Sequence, residues 1–234
     1  MHLFMPTLLV SLWTTVQALP PQGQQHKLFT RGPAFAGFPN ATIQIHSPDL
    51  GASGSQLGID FTLDGAGFFP ALSWKRPARV TVREYVLVSE DADADAETPI
   101  LHGLYYGIPP VFTGLTNDDF AVDTSRKEPY SLKGGFQYGR NLGLTTYMPP
   151  SPPLGRGRHR YFFQLVALGN PLDRKRMDSF DALDGVRIIN SFNKTQLFDA
   201  GFILGCLFYS ILREYISDGQ CSIPMVDNDY QLGE

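Results

Sequence analysis

The sequence predicts a single, mainly β domain with a few late helices. Three observations carry that prediction. With 234 residues, 43% of them hydrophobic and 18% charged, the chain has apolar side chain enough for one real core and too little charge for a disordered tail protein. Its 23 Gly and 18 Pro follow no collagen-like period, and at that density they punctuate strands and turns. Its clearest periodic segments alternate at every second residue, the strand period, and no heptad or internal repeat is present. A net charge of −4 argues against general nucleic-acid binding, which needs a basic stripe.

At the start of the chain the first Asp, Glu, Lys or Arg is Lys27. Leu3-Phe4-Met5, Leu8-Leu9-Val10 and Leu12-Trp13 precede Val16-Gln17-Ala18, with small residues where a signal peptidase reads them. This is the pattern of a secretory signal peptide, residues 1–18, cleaved after Ala18. The apolar run is shorter than the ~20 residues a membrane span requires, so no transmembrane segment is expected there. The reading places the protein outside the cell or in the secretory lumen. Asn40 and Asn193 then head usable glycosylation sequons. Cys206 and Cys221 either pair in that oxidising compartment or leave Cys206 as a buried thiol in the apolar run 202–208.

Residues 19–40, rich in Pro, Gly and Gln, read as a linker or an extended arm, residues 41–218 as the domain, and 219–234 as a tail. Strands are expected at 42–46, 69–74, 80–88 and 101–108, the last stopped by Pro109-Pro110. Residues 114–130 read as a long polar excursion, and 134–139 as loop because of Gly134, Gly135 and Gly139. Pro149-Pro150-Ser151-Pro152-Pro153 has to lie as an extended loop. The near-continuous apolar run 159–168 suits an interior strand. Short helices are expected at 178–183 and 191–200, and 202–212 is a buried strand or helix.

Several chemistries are excluded by motif. No H-E-x-x-H, C-x-x-C or G-x-S-x-G occurs. Asp91-Ala92-Asp93-Ala94-Asp95 invites a calcium loop, but its sixth and twelfth places hold Ala96 and His102 where Gly and Glu are needed. No metal or cofactor is called for.

What remains is a set of polar groups at strand ends. Asp91 follows the strand 80–88, His102 enters the strand that holds Tyr105 and Tyr106, and Arg156, Arg158, His159 and Tyr161 follow the proline loop. Strand alternation puts His159 and Tyr161 on one face and Arg160 on the other. Two imidazoles and a phenol supply donors, and a carboxylate fixes an imidazole's tautomer or favours its charged form. Such a group suits a small anion, with Arg156 and Arg158 adding positive potential at the rim. Taken singly, His102 and His159 each read as ordinary strand residues bonded to backbone.

The order of these segments is more specific. Pro70-Ala71-Leu72-Ser73-Trp74, Glu90-Asp91-Ala92-Asp93-Ala94, His102, Gly139-Arg140-Asn141, and Tyr147 through Pro153 with His159-Arg160-Tyr161 together resemble the phosphatidylethanolamine-binding protein family over about residues 42–168. The resemblance implies a β-sandwich of two sheets with peripheral helices, and an anion pocket of Asp91, His102, His159 and Tyr161 with Pro150 or Pro152 at its rim. Two departures stand out. Ala92 and Asp95 replace the prolines of the family's acidic loop, and Gly103 replaces the aromatic that often follows the pocket His, which leaves room for a larger ligand. The resemblance also implies functions. A secreted fungal member would assist coupling of maleic-anhydride monomers beside a ketosteroid-isomerase-like partner, with His102 or His159 as general base. The alternatives are plain binding of a phosphate, carboxylate or lipid head group, and inhibition of a carboxypeptidase.

Overall fold

The computed structural model describes residues 23–36, 42–78, 80–177, Gly185, Ile189 and the backbone of 203–212. Among the described residues eight strands form two antiparallel sheets: β1 (Ile45–His46), β2 (Leu72–Trp74), β3 (Glu84–Asp91), β4 (Ile100–Ile108), β5 (Gly114–Leu115), β6 (Gln137–Gly139), β7 (Arg158–Leu168) and β8 (Ile203–Leu212). The small sheet runs β1-β2-β5 and the large one β6-β4-β3-β7-β8. The two-sheet fold class expected from the sequence is therefore the fold found.

The principal core lies between the sheets. Ile45, Leu72, Trp74 and Leu115 of the small sheet meet Tyr85, Leu87, Tyr105, Phe163 and Leu165 of the large one. Every residue of β3 is buried, because the outer face of the large sheet is covered as well. There Val86, Val88, Leu104, Tyr106 and Val166 pack against Phe29 and Phe35 from the N-terminal segment and against Leu172 and Met177 after β7. Antiparallel strands covered on one face alternate polar and apolar; β3 and β7 read as continuous apolar runs because both faces are dry.

Residues 23–36 thus form an arm with a fixed seat rather than a loose linker. The arm consists of three 3-10 turns, Gln24–Lys27, Phe29–Arg31 and Pro33–Phe35. Phe29 and Phe35 are almost fully buried and pack edge to face at 4.9 Å, each contributing roughly 1.5–3 kcal/mol by burial.

Some elements differ from expectation. The glycine-rich segment 134–139 holds the edge strand β6, which pairs Tyr138 with Tyr105. The excursion 114–130 contains β5 and a 3-10 turn, Asn117–Phe120, closed by a capping box between Thr116 and Asp119. Of the run expected as strand or helix, Ile203–Leu212 is strand β8, paired along its length with β7. Among the described residues α1 (Arg174–Met177) is α-helical, as are the single residues Gly185 and Ile189, and no helix is long and apolar enough to cross a membrane. The signal-peptide segment, Asn40, Asn193, Cys221 and the helices expected at 178–183 and 191–200 lie outside the described residues. Cys206 is described only as backbone, opposite Gln164.

Candidate functional site

The site forms where β3, β4 and β7 end together. Antiparallel register sets Asp91 directly opposite Tyr161, and His159 lies two residues further on the same face of β7. His102 reaches this group through a bulge. Ser89 pairs with Gly103 and Glu90 with Leu101, so His102 is an extra, unpaired residue of β4. Plain alternation would turn it away from the side of Tyr105; the bulge turns it back. Its ring meets that of Tyr161 edge to face at 5.1 Å.

Asp91 is the hub. It is 4% exposed and accepts from His159 Nδ1 at 2.8 Å, from the backbone N–H of Asp93 at 2.9 Å, and from the Tyr161 phenol. Burial, then the charge and hydrogen bond of Asp91, push the Tyr161 phenol well above its usual range, so it remains an O–H donor.

The two imidazoles do different work. His102 Nδ1 lies 2.6 Å from the carbonyl oxygen of Met148. A carbonyl only accepts, so Nδ1 carries the proton. Burial lowers the pKa of His102 below 6.5, which keeps the ring neutral at pH 7 and leaves Nε2 as a bare acceptor. His159 instead donates Nδ1–H to the Asp91 carboxylate, which fixes the orientation of its ring. The backbone around His102 is clamped: its carbonyl accepts from Met148 N at 2.8 Å and from Asn141 Nδ2 at 3.1 Å.

His159 opens onto a cleft of about 320 Å³, lined also by Ala92, Asp93, Ala94, Asp95, Pro153, Arg156 and by Gly23 and Gln24 of the arm. Asp91, His102 and Tyr161 stand behind this surface as buried support. The proline of the cleft wall is Pro153; Pro150 and Pro152 are buried, and Pro150 accepts from Leu63 N at 2.9 Å. Arg156 reaches the mouth because Gly155 and Gly157 take positive φ (73° and 85°), a turn a side chain would resist. It pairs loosely with Asp95 at 3.7 Å, both largely exposed, so a bound anion can compete for it. Arg158 is half-buried at the start of β7.

Sequence reasoning passed over three groups. Arg160 grips Asp93 with two bonds, Nε at 2.7 Å and Nη2 at 2.6 Å, and so fixes the cleft wall. Its place one residue before Tyr161 gave the face but not the partner. The phenol of Tyr147 is buried with no hydrogen bond among the described residues. Gln24 and Gly23 belong to a segment whose composition carries no site signal. Gly103, moreover, does not enlarge the pocket. The Tyr105 ring covers it, so closely that a Cβ there would lie 2.4 Å from the phenol oxygen, which donates to Thr146 O at 2.8 Å.

Among the described residues no three His, Cys, Asp or Glu converge as a metal site. The arrangement offers one carboxylate-oriented imidazole at the cleft, one neutral imidazole with Nε2 unprotonated, and a phenol whose proton Asp91 holds.

Comparison with known proteins agrees with this reading of the fold. The family model described as phosphatidylethanolamine-binding protein matches residues 48–200. Phomoidride biosynthesis cluster protein B of Talaromyces stipitatus is 38% identical over 167 residues, 70% of this chain and 68% of that protein. The protein of the same name from another fungus is 37% identical over 152 residues, 65% of this chain and 73% of its own. The crystal structure of Escherichia coli YbcL superposes with a TM-score of 0.55 at 22% identity, covering 73% of this chain and 98% of that one. With the family model matching well over half its length, the chain belongs to the phosphatidylethanolamine-binding protein family.

Proposed function

We propose that the protein binds a small anionic intermediate of a secondary-metabolite pathway and assists its coupling. The intermediate is of the maleic-anhydride type, or its dicarboxylate, and a ketosteroid-isomerase-like protein is the partner. The observation that carries the reading is the buried His159–Asp91 bond of 2.8 Å facing a cleft with Arg156 at its mouth. With Nδ1–H held by Asp91, the imidazole donates to an anion through Nε2 when that nitrogen too is protonated, and the Arg156 guanidinium supplies the second donor. The fungal relatives named for phomoidride biosynthesis support the pathway class.

The coupling role draws on the second imidazole. His102, neutral with Nε2 unprotonated, has the form of a general base. Removing a proton next to an anhydride carbonyl creates an enolate, and the Arg156 guanidinium at the cleft mouth is a group that stabilises one. The uncharged apolar start of the chain supports export of the protein.

The test incubates the purified protein with an alkyl maleic-anhydride monomer, with and without the isomerase-like partner, and measures dimer yield. Increased dimer supports the reading. Unchanged yield with tight monomer binding reduces the function to anion capture; no binding at all removes the site.

A further inference from the structure

One side of the cleft is the chain's own N-terminal arm, and the arm is tied down at both ends of its first two turns. At the cleft, Gln24 N donates to Ala92 O at 2.6 Å, the Gln24 amide donates to Ala96 O, and Lys27 Nζ donates to Glu97 O at 2.6 Å. Those three acceptors belong to the acidic loop that forms the facing wall. Gly23 sits so near the Asp93–Arg160 pair that a Cβ would fall 2.0 Å from Asp93 Oδ1 and 2.1 Å from Arg160 Nη2.

Behind the cleft the arm is fastened by a buried polar group in an otherwise apolar layer. Phe29 N donates to Glu90 Oε2 at 2.8 Å; Thr30 N and Oγ1 donate to Gln164 Oε1 at 3.1 and 2.7 Å; the Gln164 amide donates in turn to Glu90 Oε2. Burying a carboxyl under an apolar arm costs stability that a Gln or Leu would not, and the mechanism above makes no use of Glu90. What the carboxyl does hold is the arm.

We propose that the segment Gly23–Ala36 is a strap, latched on Glu90 and Gln164, that closes one side of the His159 cleft and limits it to small anions. The proposal rests on the reading of that cleft as an anion site. Lifting the strap widens the cleft on the side of Asp93 and Asp95 without disturbing the His159–Asp91 bond, which lies on the opposite face of the sheet from Glu90.

The latch is sensitive to pH. Burial raises the Glu90 pKa to about 7, against the bonds from Phe29 and Gln164 that lower it. The residues facing it carry no charge: Phe29 and Thr30 from the arm, Leu101 from β4, and Phe162 and Gln164 from β7. The arm's cations Lys27 and Arg31 lie exposed at the surface. With the arm lifted, Glu90 meets water and recovers a pKa near 4.5. The strap is therefore firmest in acid and loosens as pH rises towards neutrality.

Two measurements on the full chain test this. Amide hydrogen exchange at Gln24 and Phe29, corrected for intrinsic rate, is followed at pH 5.5 and 8. Protection falls at least tenfold between them in the wild type and stays level in Glu90→Gln; identical behaviour of the two proteins overturns the latch. Calorimetry then compares inorganic phosphate with phenyl phosphate. Gly23→Val, which displaces the arm from Asp93, narrows the preference for the smaller anion at least tenfold, and Thr30→Val narrows it by a smaller factor. An unchanged preference in both variants overturns the strap. If neither phosphate binds the wild type, the anion reading fails, while the exchange data still decide the latch.

Discussion

His159 and Asp91 are 68 residues apart in sequence and 2.8 Å apart in space, each side chain about 5% exposed. The pair joins β7 to β3 at the end of the large sheet where the cleft opens, so the same bond orients the imidazole and ties the two strands together.

Replacing His159 by Ala is expected to abolish binding of inorganic phosphate, measured by calorimetry, and to leave the circular dichroism of the folded protein unchanged. Asp91→Asn keeps a polar partner for Nδ1 but removes its charge and unsettles Tyr161. Phosphate affinity falls about tenfold and stability by about 1–3 kcal/mol. Affinity equal to wild type in both variants would place the anion elsewhere.

The pH profile of stability has two opposed flanks. Glu90 is raised to about 7 by burial, so its contribution is complete below 4.5 and is lost as pH climbs to about 7. His102 is lowered from 6.5 by burial, so its contribution is complete above 6.5 and is lost as pH falls below it. Denaturant titrations across pH 4 to 8 in Glu90→Gln flatten the first flank and leave the second. A profile unaltered by the substitution rules out Glu90 as its source.

The tautomer of His102 is directly visible. Nitrogen-15 NMR is expected to place the proton on Nδ1, bonded to Met148 O, with a titration midpoint lowered from 6.5 by burial. A ring protonated at Nε2 at pH 7 would remove it as a base.

Arg160→Ala leaves Asp93, 3% exposed at its side chain, without its two guanidinium bonds. We expect a loss of about 1.5–3 kcal/mol, and faster exchange at Gln24 because the cleft wall and arm share that anchor. Stability within 0.5 kcal/mol of wild type, judged against the roughly ±0.5 kcal/mol spread of ordinary surface substitutions, would show the pair to be ornamental.

Gly103→Ala drives a methyl group into the Tyr105 ring and breaks its bond to Thr146 O. Overpacking of this kind costs about 1–3 kcal/mol, read from the shift in urea midpoint. A neutral substitution would mean that the ring swings aside and that the pocket is larger than it stands.

By itself the sequence determined the fold class, the main strands and the residue types of the site. Strand period places His159 and Tyr161 together whatever their neighbours, and the apolar run of β7 requires cover on both faces. The tertiary structure alone decided how the site is built. A bulge at His102 shifts register by one residue, and alternation read along one strand cannot detect a residue left unpaired by its neighbour. The partners Asp91–His159, Asp93–Arg160 and Glu90–Phe29 are each more than 60 residues apart, and local propensity holds no term for contacts at that range. The arm shows the limit most plainly: Pro, Gly and Gln describe a flexible chain, and two buried phenyl rings, the Glu90–Gln164 pair beneath them and the bonds to the acidic loop give it a place.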